Sequence, residues 1–200
     1  VLLTPRSSPQ RRLVHFQENS MLATAQTDIA PLMTEGAPGD TPQGSDLQRD
    51  LQRDLQRILA AATARAARDN LPFAGTLPPH EAWALASAGD ALLIDVRTSE
   101  EYKYVGHVPG TPLVQWQTGP ALTKNPRFAR ELAGKAGKND LVLLICRSGK
   151  RSAAAAEAAT RAGFTRVFNV LEGFEGEITS DGQRGATGGW RYHGLPWVQD

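Results

Sequence analysis

One cysteine is present in 200 residues, and it stands in the run Cys146-Arg147-Ser148-Gly149-Lys150-Arg151-Ser152. The apolar stretch LVLLI precedes it and an alanine-rich stretch follows. This order reads as a buried strand, a short polar loop and a helix. In open α/β sheets, ligands gather at the carboxyl ends of strands. There the loop N–H groups and the helix N-terminus can converge on an anion. Gly149 lets the loop curl through conformations closed to other residues. Arg147, Lys150 and Arg151 put three positive charges within five residues of the sulfur. A thiolate set among amide dipoles and cations is stabilised, and the same charges would draw an anionic substrate. A lone cysteine at a strand end is more often a small core hydrophobe. The cationic, glycine-containing loop favours a nucleophile here.

A loop of this kind needs a sheet behind it. ALLIDV (91–96), PLVQW (112–116), LVLLIC (141–146) and VFNVL (167–171) read as strands. Three of them are nearly continuous apolar runs, as a sheet covered on both faces requires. Helices are expected from Pro79 to Ala88, after an Asn125-Pro126 start, and from Ser152 to Ala162 with Gly163 just beyond its end. Small side chains from Ala153 to Ala156 would let that last helix lie close to the sheet. The alternation predicts an α/β domain over residues 71–200, with a mainly parallel central sheet flanked by helices on both faces.

Upstream the character changes. Residues 1–45 are rich in Pro, Gly, Ser, Thr and Gln without a hydrophobic period, and read as a mobile leader. Val1 and Met21 are both candidate translation starts, and no secretory signal is expected. Residues 46–70 carry DLQR three times from Asp46 to Arg57, then ILAAATARAARD. Period four keeps Leu47, Leu51, Leu55 and Leu59 near one helical face, with Ser45 or Asp46 as cap. This N-terminal helix is expected to dock on the following domain, with weak self-association or a slippage-derived repeat without a role as the alternatives.

Composition excludes several classes. Hydrophobic residues are 40% and charged residues 22%, a globular balance. A net charge of +1 gives no electrostatic case for nucleic acid. No apolar run reaches the ~20 residues of a membrane span, so no membrane association is expected. One cysteine excludes a disulfide within the chain and fits a reducing, cytoplasmic setting. His15, His80, His107 and His193 are too scattered to suggest a metal site.

CRSGKRS resembles the active-site loop of the rhodanese family. LLIDVRTSEEYKYVGHVPGT resembles that family's upstream signature, GFTRVFNVLEGFEG a third block and GGWRYHGLPW a fourth, in family order across about residues 71–200. The resemblance implies a thiosulfate sulfurtransferase that carries sulfane sulfur as a Cys146 persulfide, without metal or organic cofactor. Arg147, Ser148, Gly149, Lys150, Arg151 and Ser152 would bind a small anionic donor. Asp95, Arg97 and Glu101 would support the site, with Arg97 pairing Glu101 or Asp95. A thiol or cyanide would accept the sulfur, from outside the chain or from a second molecule, because no second cysteine can resolve the persulfide. His107 reads as a turn anchor, Trp190 and Pro196 as packing, Trp116 as a pocket candidate, and 172–189 as a surface excursion. The alternatives are a non-catalytic rhodanese-like binding module and a cysteine-dependent phosphatase or arsenate reductase. The latter enzymes need Cys-x5-Arg, whereas Ser152 holds that position here and Arg151 comes one residue early.

Because residues 1–70 lie outside the four blocks, a chain beginning at Leu71 should retain specific sulfur-transfer activity. Assaying it beside the full chain checks this, with circular dichroism to report folding.

Overall fold

The computed structural model describes residues 44–200. The leader expected over 1–45 lies outside them, apart from Gly44 and Ser45, which open the first helix. That helix, α1, spans Gly44–Arg68. The expected cap residues Ser45 and Asp46 therefore sit inside its first turn. Each repeat pairs its aspartate with the arginine three residues on, Asp46 with Arg49, Asp50 with Arg53 and Asp54 with Arg57. Such exposed pairs contribute little individually. A period of four drifts around a helix of 3.6 residues per turn, so the leucines do not share one environment. Leu47 and Leu51 are exposed, whereas Leu55, Ala62 and Ala66 are buried against the domain.

After α1 come β1 (Gly75–Leu77), α2 (Pro79–Ser87), β2 (Leu92–Asp95) and α3 (Ser99–Val105). A small hairpin, β3 (Gln117–Thr118) with β4 (Thr123–Lys124), leads to α4 (Phe128–Ala133), β5 (Val142–Ile145), α5 (Lys150–Arg161) and β6 (Val167–Val170). The central sheet has the order β1-β6-β5-β2, and all three pairings are parallel. Alternating side chains feed two cores. Leu143, Ile145, Phe168 and Val170 join Leu55 and Ala62 of α1 and Ala82 and Leu85 of α2. Val142, Leu144 and Val167 join Phe128 and Leu132 of α4 and Ala155, Ala156 and Ala159 of α5. By the same alternation, Cys146 falls on the α5 side.

Several expected elements shift. PLVQW forms no strand. It runs past the end of β2, held by Asp95 N donating to Pro112 O (2.9 Å), Val114 N to Asp95 O (2.8 Å) and Trp116 N to Val96 O (3.0 Å). Pro112 has no N–H with which to extend the pairing. α4 starts at Phe128, two residues beyond Pro126, because the Asn125 side chain accepts from Arg127 N (2.9 Å) and makes a turn there. α5 starts at Lys150, two residues before Ser152, so Lys150 and Arg151 belong to its first turn. β1 and α3 lacked a clear apolar pattern. α3 is set instead by a capping box between Thr98 and Glu101.

α1 comes close against the sheet at Gly75, where a Cβ would lie 2.8 Å from the Ala62 carbonyl oxygen and 2.9 Å from the Phe168 ring. Gly75→Ala should therefore push α1 off β1 and cost about 1–3 kcal/mol. A lower urea midpoint, with helicity otherwise retained, is the expected result.

Candidate active site

Cys146 follows β5 directly and is buried. The turn Arg147–Gly149 ends with Gly149 in the left-handed region (φ 85°), and α5 begins at the next residue. A strap from the segment after β6 fixes the turn from behind. Phe174 N donates to Cys146 O (2.7 Å), and Glu175 N and Gly176 N donate to Arg147 O (2.9 and 3.2 Å). The strap comes so near that a Cβ on Gly173 would lie 2.4 Å from Cys146 O and 2.6 Å from Ser148 N. With the carbonyls turned to the strap, the backbone N–H groups of Arg147 to Ser152 donate to no acceptor among the described residues. Successive free N–H groups at a helix start make an anion-binding concavity.

The α5 side of the sulfur is polar. Ser152 Oγ lies 3.2 Å from Cys146 Sγ, 3.1 Å from Gly149 O and 2.6 Å from Asn169 Oδ1. Ser152 and Asn169 are both buried. Asn169 was not among the expected site residues. Its signal in the sequence was a lone amide inside the apolar strand VFNVL, since a buried polar side chain requires a partner.

The expected supporting residues sort into separate pairs. Asp95 stands in register with Ile145, one strand over from the residue before Cys146. Its carboxylate takes Arg97 Nη2 at 2.7 Å and Arg97 Nε at 3.0 Å, with both residues fully buried. Arg97 also donates to Gly106 O (2.7 Å), and its guanidinium lies 4.2 Å from the centroid of Phe174, the strap residue. Of the two partners expected for Arg97, the structure thus chooses Asp95. Glu101 instead binds Arg151 through two hydrogen bonds of 2.7 and 2.6 Å. Burial opposes both charges, but the mutual hydrogen bond and attraction outweigh it, lowering the Glu101 pKa and raising that of Arg151. Lys150 reaches Glu177 at 3.0 Å on the surface. Both loop-end cations, expected to bind an anionic donor, thus carry carboxylate partners within the chain. Arg147 is half-buried and its Nε has no partner among the described residues; the same holds for Glu175 Oε1 in the strap.

The remaining expectations fall away from the sulfur. His107 pairs its backbone with Val198 and stacks on Tyr102, with ring centroids 3.9 Å apart. Trp116 packs edge-on against Phe128 and lines a cleft with Pro126 and Ala158 that does not include Cys146. Trp190 is fully buried against Trp83, donates Nε1 to Pro196 O (2.9 Å), and receives the strap through its own N–H to Gly173 O (2.8 Å). The stretch 172–189 is thus not all surface: Gly173, Phe174 and Gly176 are buried, and the excursion begins at Glu177.

The domain is thus a parallel α/β domain that presents a cysteine at a strand end, before a turn of free amides and a helix start. The Rhodanese-like domain family matches residues 78–177, and the chain belongs to that family. The chain is 33% identical over 118 residues to an uncharacterized protein of Rickettsia conorii, covering 56% of this chain and 87% of the relative. It is 31% identical over 105 residues to thiosulfate sulfurtransferase 16, chloroplastic, of Arabidopsis thaliana, covering 52% of this chain and 76% of that protein. It also resembles the crystal structure of Rv0390 from M. tuberculosis, with 41% identity, a TM-score of 0.58, and coverage of 64% of this chain and 99% of that one. No helix among the described residues is long and apolar enough to cross a membrane.

The Glu101–Arg151 pair ties the start of α3 to the start of α5. Because the folded pKa of Glu101 lies below its ordinary 4.5, the pair's stabilisation is full above that value and is lost as pH falls through the lower folded value. Arg151→Gln leaves a half-buried carboxylate unpaired and should cost on the order of 2–3 kcal/mol at neutral pH. That difference should shrink in acid. Lys150→Ala removes an exposed pair and should stay within about 0.5 kcal/mol of wild type. Urea unfolding of the three proteins between neutral and acid pH checks both.

Proposed function

We propose that the chain is a sulfurtransferase that moves sulfane sulfur from an anionic donor such as thiosulfate to a thiophilic acceptor through a Cys146 persulfide. The observation that carries this reading is the cradle: one cysteine at the end of β5, followed by six successive N–H groups without an acceptor among the described residues. In the first half-reaction the Cys146 thiolate attacks the outer sulfur of thiosulfate. A sulfur–sulfur bond forms at Sγ, the bond inside the donor breaks, and sulfite leaves with its electron pair. In the second, cyanide or a thiolate attacks the outer sulfur of the persulfide and Sγ departs as thiolate. Charge balances in both steps, and dividing the transfer makes each one easier. The free amides suit the negative charge that builds on the outer sulfur. The acceptor comes from outside the chain, since no second cysteine is present.

The kinship to a named thiosulfate sulfurtransferase supports the donor class. Against phosphatase chemistry stand the early arginine and its engagement with Glu101. Incubation of the protein with thiosulfate should add the mass of one sulfur atom, removable by thiol reductant or cyanide. Cys146→Ser should neither gain that mass nor form thiocyanate, while unfolding like wild type. Turnover by the serine variant would overturn the proposal.

A further inference from the structure

The contact beside the sulfur contains more acceptors than protons. Ser152 has one hydroxyl proton, and three atoms lie within reach that can accept it: Asn169 Oδ1 at 2.6 Å, Gly149 O at 3.1 Å and Cys146 Sγ at 3.2 Å. With the shortest contact taken as the bond, the hydroxyl points to Asn169. Cys146 can then give its S–H proton to the serine oxygen, which suits a neutral thiol. Ionisation removes that proton to solvent and reverses the demand. The thiolate now calls for the serine proton, and Asn169 Oδ1 would be left facing a serine lone pair at 2.6 Å. An amide can answer this by turning end for end, so that its NH2 donates to Ser152 Oγ. The contact with Ser152 is the one side-chain hydrogen bond that Asn169 makes among the described residues, so no second bond fixes which end of the amide faces the hydroxyl. A carboxylate could only accept, and an apolar side chain could do neither.

We infer that Asn169 is a positioning residue that acts on the sulfur through Ser152, accepting from the hydroxyl when Cys146 is a thiol and donating to it when Cys146 is a thiolate. The inference deepens the proposed sulfur transfer and rests on Cys146 being its nucleophile. The hydroxyl would stabilise Sγ twice per turnover, before it attacks the donor and again when it departs from the persulfide. Ser152 is thereby assigned to the cysteine itself, not to the donor. The strand β6 enters the site by supplying the one side chain that can reverse its hydrogen bond.

The test is a titration of the resting protein. Thiolate absorbance in the ultraviolet is followed against pH, with Cys146→Ser as the blank. Loss of one charge-assisted hydrogen bond in Ser152→Ala should move the midpoint up by about one pH unit. Asn169→Asp, which accepts only, should move it up by at least as much, and kcat/KM lost at neutral pH should return as the pH is raised. The deciding measurement is the double variant. If Asn169 works through the hydroxyl, Asn169→Asp shifts the midpoint less in the Ser152→Ala background than in wild type. Equal shifts in both backgrounds, or no shift in Ser152→Ala, would overturn the relay. Should the buried carboxylate prevent folding, Asn169→Leu replaces it. Its midpoint shift should be present with Ser152 and absent with alanine, and an equal shift in both would again overturn the inference. The titration needs no donor. Shifts as stated without thiosulfate-dependent mass gain would reject sulfur transfer and keep the relay, whereas the reverse pattern would reject the relay alone.

Discussion

The turn after Cys146 depends on where its carbonyl groups go. Cys146 O and Arg147 O accept three N–H bonds from Phe174, Glu175 and Gly176. That leaves the N–H groups of the turn with no acceptor among the described residues, turned toward a ligand or solvent. A peptide unit cannot turn its carbonyl one way without turning its N–H the other, since the amide is planar. The outward turn of the amides at the front of the loop is therefore a consequence of hydrogen bonding at its back. The strap gets close enough only because Gly173 has no Cβ to strike Cys146 O, and because its φ of 62° is open to glycine.

Everything else near the site steadies one of these two pieces. Trp190 holds Gly173 through a backbone bond, so the C-terminal block clamps the strap. Glu172 at the strap's start accepts from Gly189 N and His193 Nε2, both at 2.8 Å, closing the other side of the same junction. Arg97 stacks on Phe174 while its charge is taken by Asp95, which ties the strap to the end of β2. On the opposite side, Arg151 and Glu101 couple the first turn of α5 to that of α3. A buried ion pair is weak evidence for stability, because desolvation offsets its attraction. What they supply is position: Arg97, held by Asp95, carries the end of β2 to Phe174 of the strap, and the Glu101–Arg151 pair joins two helix starts 50 residues apart.

The division of the cations follows from this. Three positive charges within five residues of the sulfur suggested a common task, but α5 begins early and spreads them over different directions. Arg151 turns to α3, Lys150 to the excursion at Glu177, and Arg147 keeps a buried Nε without a partner among the described residues. Proximity along the chain measured how many charges were near the loop, and the helical turn decided where each one went.

The apolar runs at 91–96, 141–146 and 167–171 carried their own message, because strands covered on both faces need continuous hydrophobic sequence wherever they lie. The place of Cys146 was legible for the same reason, as were Gly149 and the helix of small residues behind it. The strand at 75–77 and the helix at 99–105 were not legible, being too short for periodicity to register. PLVQW was misread because it meets the end of β2 in a single isolated bridge at Leu113, with Pro112 lacking the N–H that would lengthen the ladder. The pairings Asp95–Arg97 and Glu101–Arg151, the strap on the loop carbonyls and the Asn169 contact with Ser152 span up to 50 residues. The types of these residues announced only that each needed a partner. Which partner it found was settled by the β2–β5 and β5–β6 registers and by the depth at which α5 seats on alanines, distances that exist only once the chain has folded.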